Sequence, residues 1–188
     1  MTFLRQTLAG LRLLLVMTVL VGMAYPILIF LAAQALPTQA RGSLVTTSDG
    51  RVVGSALVGQ SFDGPQWFQP RPSASDYSGE ISGGTNLSPV SAKQGDARRT
   101  READLRAANP DAAGPVPEDA LTASASGLDP HTSPAYAHWQ LPRVAKARGM
   151  STADLEAMIE TATDRAMLGY LGQDGVNVTK LNLALAER

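Results

Sequence analysis

Apolar residues are distributed very unevenly along this chain. One run, Leu13–Ala33, carries no charge. Its 21 residues make a helix about 31 Å long at ~1.5 Å rise per residue, enough to cross the hydrocarbon core of a bilayer. The pattern predicts a spanning helix over residues 13–36. Gly22 and Pro26 interrupt it; proline removes a backbone donor and favours a kink, a defect that neighbouring helices repair within membranes. Together with Ala24, Ala32 and Ala33 they offer the small contact surface that helix partners use, which makes Gly22 and Pro26 the candidate helix-packing residues. A passive anchor that merely tolerates both residues fits the same run. Arg5 and Arg12 before the run and Ala33-Gln34-Ala35 after it also resemble a secretory signal with its cleavage site. Signal cores are usually about 7–15 residues, shorter than this one, which favours an uncleaved signal anchor.

After the anchor the apolar positions come in short groups. Pro37–Gly42 reads as a polar connector, and Leu44-Val45 and Arg51–Val53 as strands around the Asp49-Gly50 turn. Gly54–Phe68 suits a further short strand and a loop packed by Phe62, Trp67 and Phe68. Pro70-Arg71-Pro72 then stops regular structure. Ser88-Pro89 pairs a helix cap with the proline favoured at the first helical position, and predicts a charged, solvated helix from Val90 to Ala108. A proline-rich linker, Asn109–Pro117, leads to a turn of helix at Glu118–Leu121. Ser133-Pro134 opens a helix toward Arg148 that Pro142 bends and Gly149 ends. Ser151 and Asp154 form a capping arrangement ahead of Leu155, Met158, Ile159 and Ala162, which share one face. Val176–Val178 reads as a strand and Leu181–Leu185 as a short final helix. The fold class is α+β: one amino-terminal transmembrane helix and a single mixed domain over residues 37–188.

Charge orients the anchor. Arg5 and Arg12 precede it with no acid nearby and only Arg41 closely follows, so residues 1–12 are expected in the cytoplasm and the domain outside it. The sequence has no cysteine, so it forms no disulfide and offers no thiolate to a metal. The part after the anchor holds 14 bases and all 17 acids, a formal charge of −3, which with only ten aromatic residues in the whole chain speaks against nucleic-acid binding.

Catalytic chemistry finds little support. The chain lacks a phosphate loop of the G-x-x-x-x-G-K-[ST] kind, a G-x-G-x-x-G turn and the Asp-Lys-Thr-Gly-Thr signature of a phosphorylated-aspartate pump, so no nucleotide hydrolysis of its own is expected. His131 and His138 lie seven apart, two helical turns rather than the single turn that brings two imidazoles onto one metal. Ser124 or Ser126 with Asp129 and His131 supplies the residue types of a hydrolase, and a membrane-anchored periplasmic hydrolase using Ser126 and His131 is the alternative reading. These residues crowd within eight positions and no G-x-S-x-G elbow holds the serine, which weighs against it. Asp129-Pro130-His131 also reads simply as a turn in which Asp129 accepts backbone hydrogen bonds. Ser82–Asn86 superficially matches the signature loop of transporter ATPases, and a plain glycine turn explains it as well.

Several runs in order resemble the KdpC family. They are Gly54–Phe62 (GSALVGQSF), Phe68–Ala74 (FQPRPSA), Ser82–Leu87 (SGGTNL), SASGLDPHTSP from Ser124, Arg143–Gly149 (RVAKARG), and Val176-Asn177-Val178 with Leu181-Asn182. Thr85, Ser88 and Ala125 are mild departures. The resemblance implies a non-catalytic subunit of the bacterial Kdp complex, an ATP-driven potassium importer of the inner membrane. Implied partners are a channel-like potassium-binding subunit, a P-type ATPase subunit and a small single-helix subunit. It also implies a catalytic chaperone that raises the ATP affinity of the ATPase subunit, with ATP and potassium handled by the complex and no cofactor held firmly here. A domain outside the cytoplasm meets almost no ATP, so any such effect is expected to be indirect. Arg71, Asn86, Asp129 and His131, the polar residues inside these runs, are the candidates for organising loops or an interface; no catalytic or metal residue is assigned.

Overall fold

The computed structural model describes residues 2–188, which divide into two compact units, the segment through Ser43 and Leu44–Arg188. The first unit is helical. Helix α1 (Thr2–Val19) passes through a π-helical turn at Leu20–Ala24 into α2 (Tyr25–Ala33). The 32-residue span is about 48 Å long at ~1.5 Å per residue, so Arg5 and Arg12 belong to the same helix as the uncharged run. The π turn has a local cause. Pro26 has no N–H to give and its ring crowds the carbonyl one turn back; the preceding turn widens instead, with Tyr25 N–H reaching Leu20 O. No side chain of α1 or α2 is buried, so the entire apolar surface of this helix is left for another solvent or partner. The connector is not wholly irregular, because Pro37 at a first helical position starts the short helix α3 (Pro37–Ala40).

The second unit opens with an antiparallel hairpin of β1 (Leu44–Thr46) and β2 (Val52–Ser55), paired Leu44 with Ser55. Its turn has Gly50 at φ +81°, and Thr47 N–H donates to Arg51 O at 3.0 Å. The further strand expected after Gly54 does not form; β2 ends at Ser55 and residues 56–91 carry no helix or strand. Helix α4 (Ala92–Ala108) starts later than the Ser88-Pro89 pair suggested. Ser91 caps it, accepting from Gln94 N–H at 3.2 Å, and Ser91 with Gln94 makes the S-x-x-Q capping pattern. Apart from Gln94, α4 buries nothing. Helix α5 (Glu118–Leu121) follows the linker.

The remaining elements form the core. Strand β3 (His131–Thr132) leads into α6 (Pro134–Arg148), then α7 (Thr152–Thr161), β4 (Thr163–Asp164), β5 (Gly175–Asn177) and α8 (Val178–Ala186). Ser133 caps α6 and Gly149 ends it at φ +65°; Ser151 caps α7. The strands make an antiparallel sheet in the order β3-β5-β4, with Thr132 opposite Val176 and Thr163 opposite Val176 on the other side. Only β5 was visible in the sequence. The last helix begins at Val178 rather than Leu181 because the Asn177 side chain caps it, accepting from Lys180 N–H at 3.0 Å. Leu155, Met158, Ile159 and Ala162 are buried with Val144, Val176, Leu181 and Leu185 in the larger apolar cluster. A smaller one joins Val116, Ala120 and Leu121 to Tyr136 and Trp139.

An irregular segment passes through this core. Phe68 is fully buried, yet its backbone belongs to no ladder. The Asn182 side chain replaces one: it accepts from Phe68 N–H at 2.9 Å and donates to Phe68 O at 2.8 Å. Gln140, also fully buried, does the same for Gln69, at 2.7 and 3.1 Å. Arg143 donates to Pro65 O and Trp67 O at 2.5 and 2.9 Å. Arg148 donates to Gln66 O at 3.1 Å and lies over the Trp67 ring, 4.2 Å from its centre. Replacing Asn182 with leucine strands both polar groups of Phe68. The expected cost is about 2–5 kcal/mol, seen as a fall of roughly 5–15 °C in the thermal midpoint of the full chain in detergent. An unchanged midpoint would contradict the clamp.

Candidate functional site

The segment Thr122–Thr132 has almost no regular structure and touches three other loops through its backbone. Gly59 N–H donates to Leu128 O at 2.8 Å, Gly83 N–H to Ser126 O at 2.7 Å, and Ser124 N–H to Pro72 O at 2.9 Å. Such close approach of main chains leaves no room for side chains. A Cβ on Gly59 would sit 2.6 Å from Asp129 O, and Gly127, at φ +70°, would meet Gly83 O at 2.8 Å. In the Ser82–Asn86 run Gly84 packs the same way, with its Cβ position 3.0 Å from Ala125 O, whereas a Cβ on Gly83 would meet open space. Asn86 has φ +51°, a left-handed conformation that asparagine tolerates better than most residues. It is exposed and stands apart from the other three candidates.

Arg71, Asp129 and His131 do come together, in an open cleft of about 560 Å³. Pro70-Arg71-Pro72 presents Arg71, whose Nη1 lies 3.4 Å from Asp129 Oδ2 and whose carbonyl accepts from the Tyr77 hydroxyl. Asp129 turns the chain as expected, accepting from His131 N–H at 3.0 Å. The imidazole then stands between two carboxylates. Its Nε2 is 2.9 Å from Asp164 Oδ2 and its Nδ1 is 3.6 Å from Asp129 Oδ1, the first a hydrogen bond and the second a charge contact at longer range. Lys180 Nζ lies 3.4 Å from the other oxygen of Asp164. On the far wall Asp119 accepts from Thr132 Oγ1, Ser133 N–H and Ser133 Oγ at 2.9, 2.7 and 2.8 Å, tying α5 to the start of α6.

These neighbours shift the titrations. Asp129, then Asp164, hold the His131 proton and raise its pKa above the usual 6.5, against the opposing pull of partial burial. Conversely, Asp129 and Asp164 are both held below 3.8, with the His131 side chain as the leading cause in each. Burial pushes the Tyr77 phenol up to about 12, helped by the Asp129 charge.

The arrangement does not make a hydrolase. The Ser126 hydroxyl accepts from Leu128 N–H and the Ser124 hydroxyl from Gly127 N–H, at 3.1 and 2.8 Å, and neither serine is a partner of the His131 ring. Both ring nitrogens face carboxylates, which favour the protonated ring, and neither is aimed at a serine hydroxyl. His138 lies on α6 and lines a separate depression with Trp139 and Pro142. Among the described residues no group of three acidic or histidine side chains is placed to hold a metal ion.

Asp119, Asp164 and Lys180 are the site residues that sequence reasoning missed. Asp164 lies 33 positions from His131, and nothing in linear spacing joins them; the β3-β5-β4 pairing does. Because the His131 pKa is raised, its stabilising effect is complete below about 6.5 and fades as pH rises through the folded value; the lowered carboxylates contribute above about 3.8 and fade as pH falls. The ion-pair cluster therefore contributes most between those limits. His131→Gln is expected to lower the thermal midpoint clearly near pH 5.5 and progressively less toward pH 9, and a pH-independent difference would contradict the cluster.

Comparison with known proteins assigns the family. The family model described as "KdpC: K+-transporting ATPase, c chain" matches residues 7–187. A potassium-transporting ATPase KdpC subunit from Sorangium cellulosum is 52% identical over 180 residues, 94% of each chain. One from Caulobacter vibrioides is 48% identical over 174 residues, 91% of this chain and 87% of the relative. Another, from Kineococcus radiotolerans, is 48% identical over 184 residues, 97% of this chain and 93% of the relative. With a family match spanning the helix and the domain alike, the chain belongs to the KdpC family, the c chain of K+-transporting ATPases.

Proposed function

We propose that this chain is the accessory, non-catalytic subunit of an ATP-driven potassium importer of the bacterial inner membrane. The family match over residues 7–187 carries this reading, and the unburied helix with its uncharged apolar run supports it. The chain crosses the membrane once, with residues 1–12 in the cytoplasm and the domain in the periplasm, because Arg5 and Arg12 outweigh Arg41 across the span. Residues 13–36 are the spanning segment and the signal anchor, and Gly22 and Pro26 are its packing face. Its partners are a channel-like potassium-binding subunit, a P-type ATPase subunit and a small single-helix subunit. Arg71, Asp129 and His131 organise the cleft beside that assembly, and Asn86 an adjoining loop.

The chain acts as a catalytic chaperone without touching ATP. Bound to one conformation of the assembly more tightly than to another, a periplasmic domain raises the ATP affinity of the cytoplasmic subunit through linkage alone, and ATP reciprocally tightens its hold. ATP and potassium remain the complex's own ligands.

Purification of the full chain in mild detergent is expected to bring down a large P-type ATPase subunit, and to fail when Leu13–Ala33 is replaced by an unrelated spanning helix. In intact cells whose outer membrane has been permeabilised, a cysteine at Glu156, exposed on α7, is expected to react with a membrane-impermeant reagent. Protection until the inner membrane is broken would overturn the topology. ATPase assays of complexes lacking this chain are expected to show a KM for ATP several-fold higher than with it; an unchanged KM would remove the chaperone role and leave the subunit assignment standing.

A further inference from the structure

The loop between β4 and β5 is built to present apolar side chains to solvent. Met167, Leu168 and Tyr170 are 70%, 74% and 74% exposed, and Leu171 nearly half. They fall within five residues of one small hydrogen-bonded hairpin rather than being scattered. Met167 N–H donates to Leu171 O at 3.0 Å and Leu171 N–H to Met167 O at 2.9 Å, while Gly169 N–H closes the tip on Ala166 O at 3.0 Å. Leu168 has φ +56°, a left-handed conformation unfavourable for a bulky residue, retained with its side chain outward. The base is clamped as well: Arg165 pairs with Glu160 and, at 3.0 Å, with Asp174, whose other oxygen accepts from Ala166 N–H at 2.8 Å.

We propose that this hairpin is a docking knob that inserts Leu168 and Tyr170 into an apolar socket with a basic rim on another subunit of the potassium-transporting ATPase. The proposal rests on the functional reading above. Charge selects the occupant. The cleft into which Met167 and Leu171 face carries Asp119, Asp129, Asp164 and Asp174, with Glu160 paired to Arg165, against Arg71, Arg165 and the neighbouring Lys180, an acid excess of two charges with His131 neutral and of one with it protonated. Such a rim is repelled by anionic headgroups and complements a basic protein surface. Rigidity argues the same way, since a preorganised apolar tip forgoes the ordering cost of entering a shaped socket, whereas a fluid bilayer gains little from it.

The test is made on the full chain expressed with the rest of its complex. The double variant Leu168→Gly/Tyr170→Ser removes both side chains and places glycine where φ is positive, so folding is preserved or improved. It is expected to cut the co-purified ATPase subunit at least fivefold with no loss in the thermal midpoint of the isolated chain. Leu57→Ser, which removes a comparably exposed leucine elsewhere, should change nothing. A photo-reactive benzoylphenylalanine at position 168 is expected to cross-link to a protein subunit. Wild-type recovery from the double variant, or a cross-link to lipid alone or to nothing, would overturn the knob while leaving the subunit assignment intact. Failure of the unaltered chain to recover any ATPase subunit would overturn both.

Discussion

The structure depends on how one irregular stretch of main chain is satisfied in its interior. Residues 56–73 carry no helix or strand, yet Phe68 is at the centre of the apolar cluster. A buried backbone donor or acceptor without a partner costs as much as several apolar contacts gain. Here the partners are side chains: Asn182 on α8, Gln140 and Arg143 on α6, and Asn177, which donates to Ala56 O at 2.8 Å. Each amide presents a donor and an acceptor at peptide-like spacing, so Asn182 and Gln140 act as one-residue strands. The α6, α7 and α8 packing cannot be completed without Phe68, and Phe68 cannot enter without the amides.

The same constraint explains where the glycines and the second irregular stretch lie. Thr122–Thr132 has short ladders only at β3, so it too pairs with whatever backbone lies beside it, at Gly59, Gly83 and Pro72. Contacts of that kind require main chains to approach within side-chain distance, and Gly59 and Gly127 make the approach possible. Fixing this segment fixes Asp129 and His131. Arg71 reaches them from the stretch that the amides hold, and Asp164 from β4. The cleft is therefore a by-product of core construction, and its charges stabilise the junction of the two irregular stretches and the sheet.

Much of the fold was legible because it follows local chemistry. Ser133-Pro134 with Gly149, Ser151 with Asp154, and Asp49-Gly50 each place a terminus or turn by a bond within a few residues. The failures share a different cause. Ser88-Pro89 looked like a cap, but Ser91 offered the better partner in Gln94 three residues on. Strands β3 and β4 have two residues each, too few for any alternation to show, and exist only because β5 lies between them. For the cleft, Arg71, Asp129 and His131 were visible as polar residues inside recognisable runs. Asp119, Asp164 and Lys180 were not, because their roles come from sheet pairing and helix packing. Arg143 and Arg148 stood in a recognisable run with no visible task; the task is the carbonyls of Pro65, Gln66 and Trp67.

A spanning helix and a rigid apolar knob together alter what each contact must supply. If the helix docks and the hairpin binds as proposed, the knob binds intramolecularly, at an effective concentration set by the short connector of residues 34–43, so a weak socket contact suffices for a lasting attachment. Weak contacts are also the ones a conformational cycle can make and break. On the proposed function, a partner that presents its socket in one state and withdraws it in another changes the energy of that state by the knob's binding free energy, while the helix holds the domain near the socket between contacts. A tightly seated domain with equal affinity for both states would contribute to assembly and nothing to ATP affinity. On that reading the spanning helix and the 165–174 hairpin share the work: lasting attachment needs both the apolar length of the first and the grip of the second, and coupling needs that grip to be modest and state-dependent.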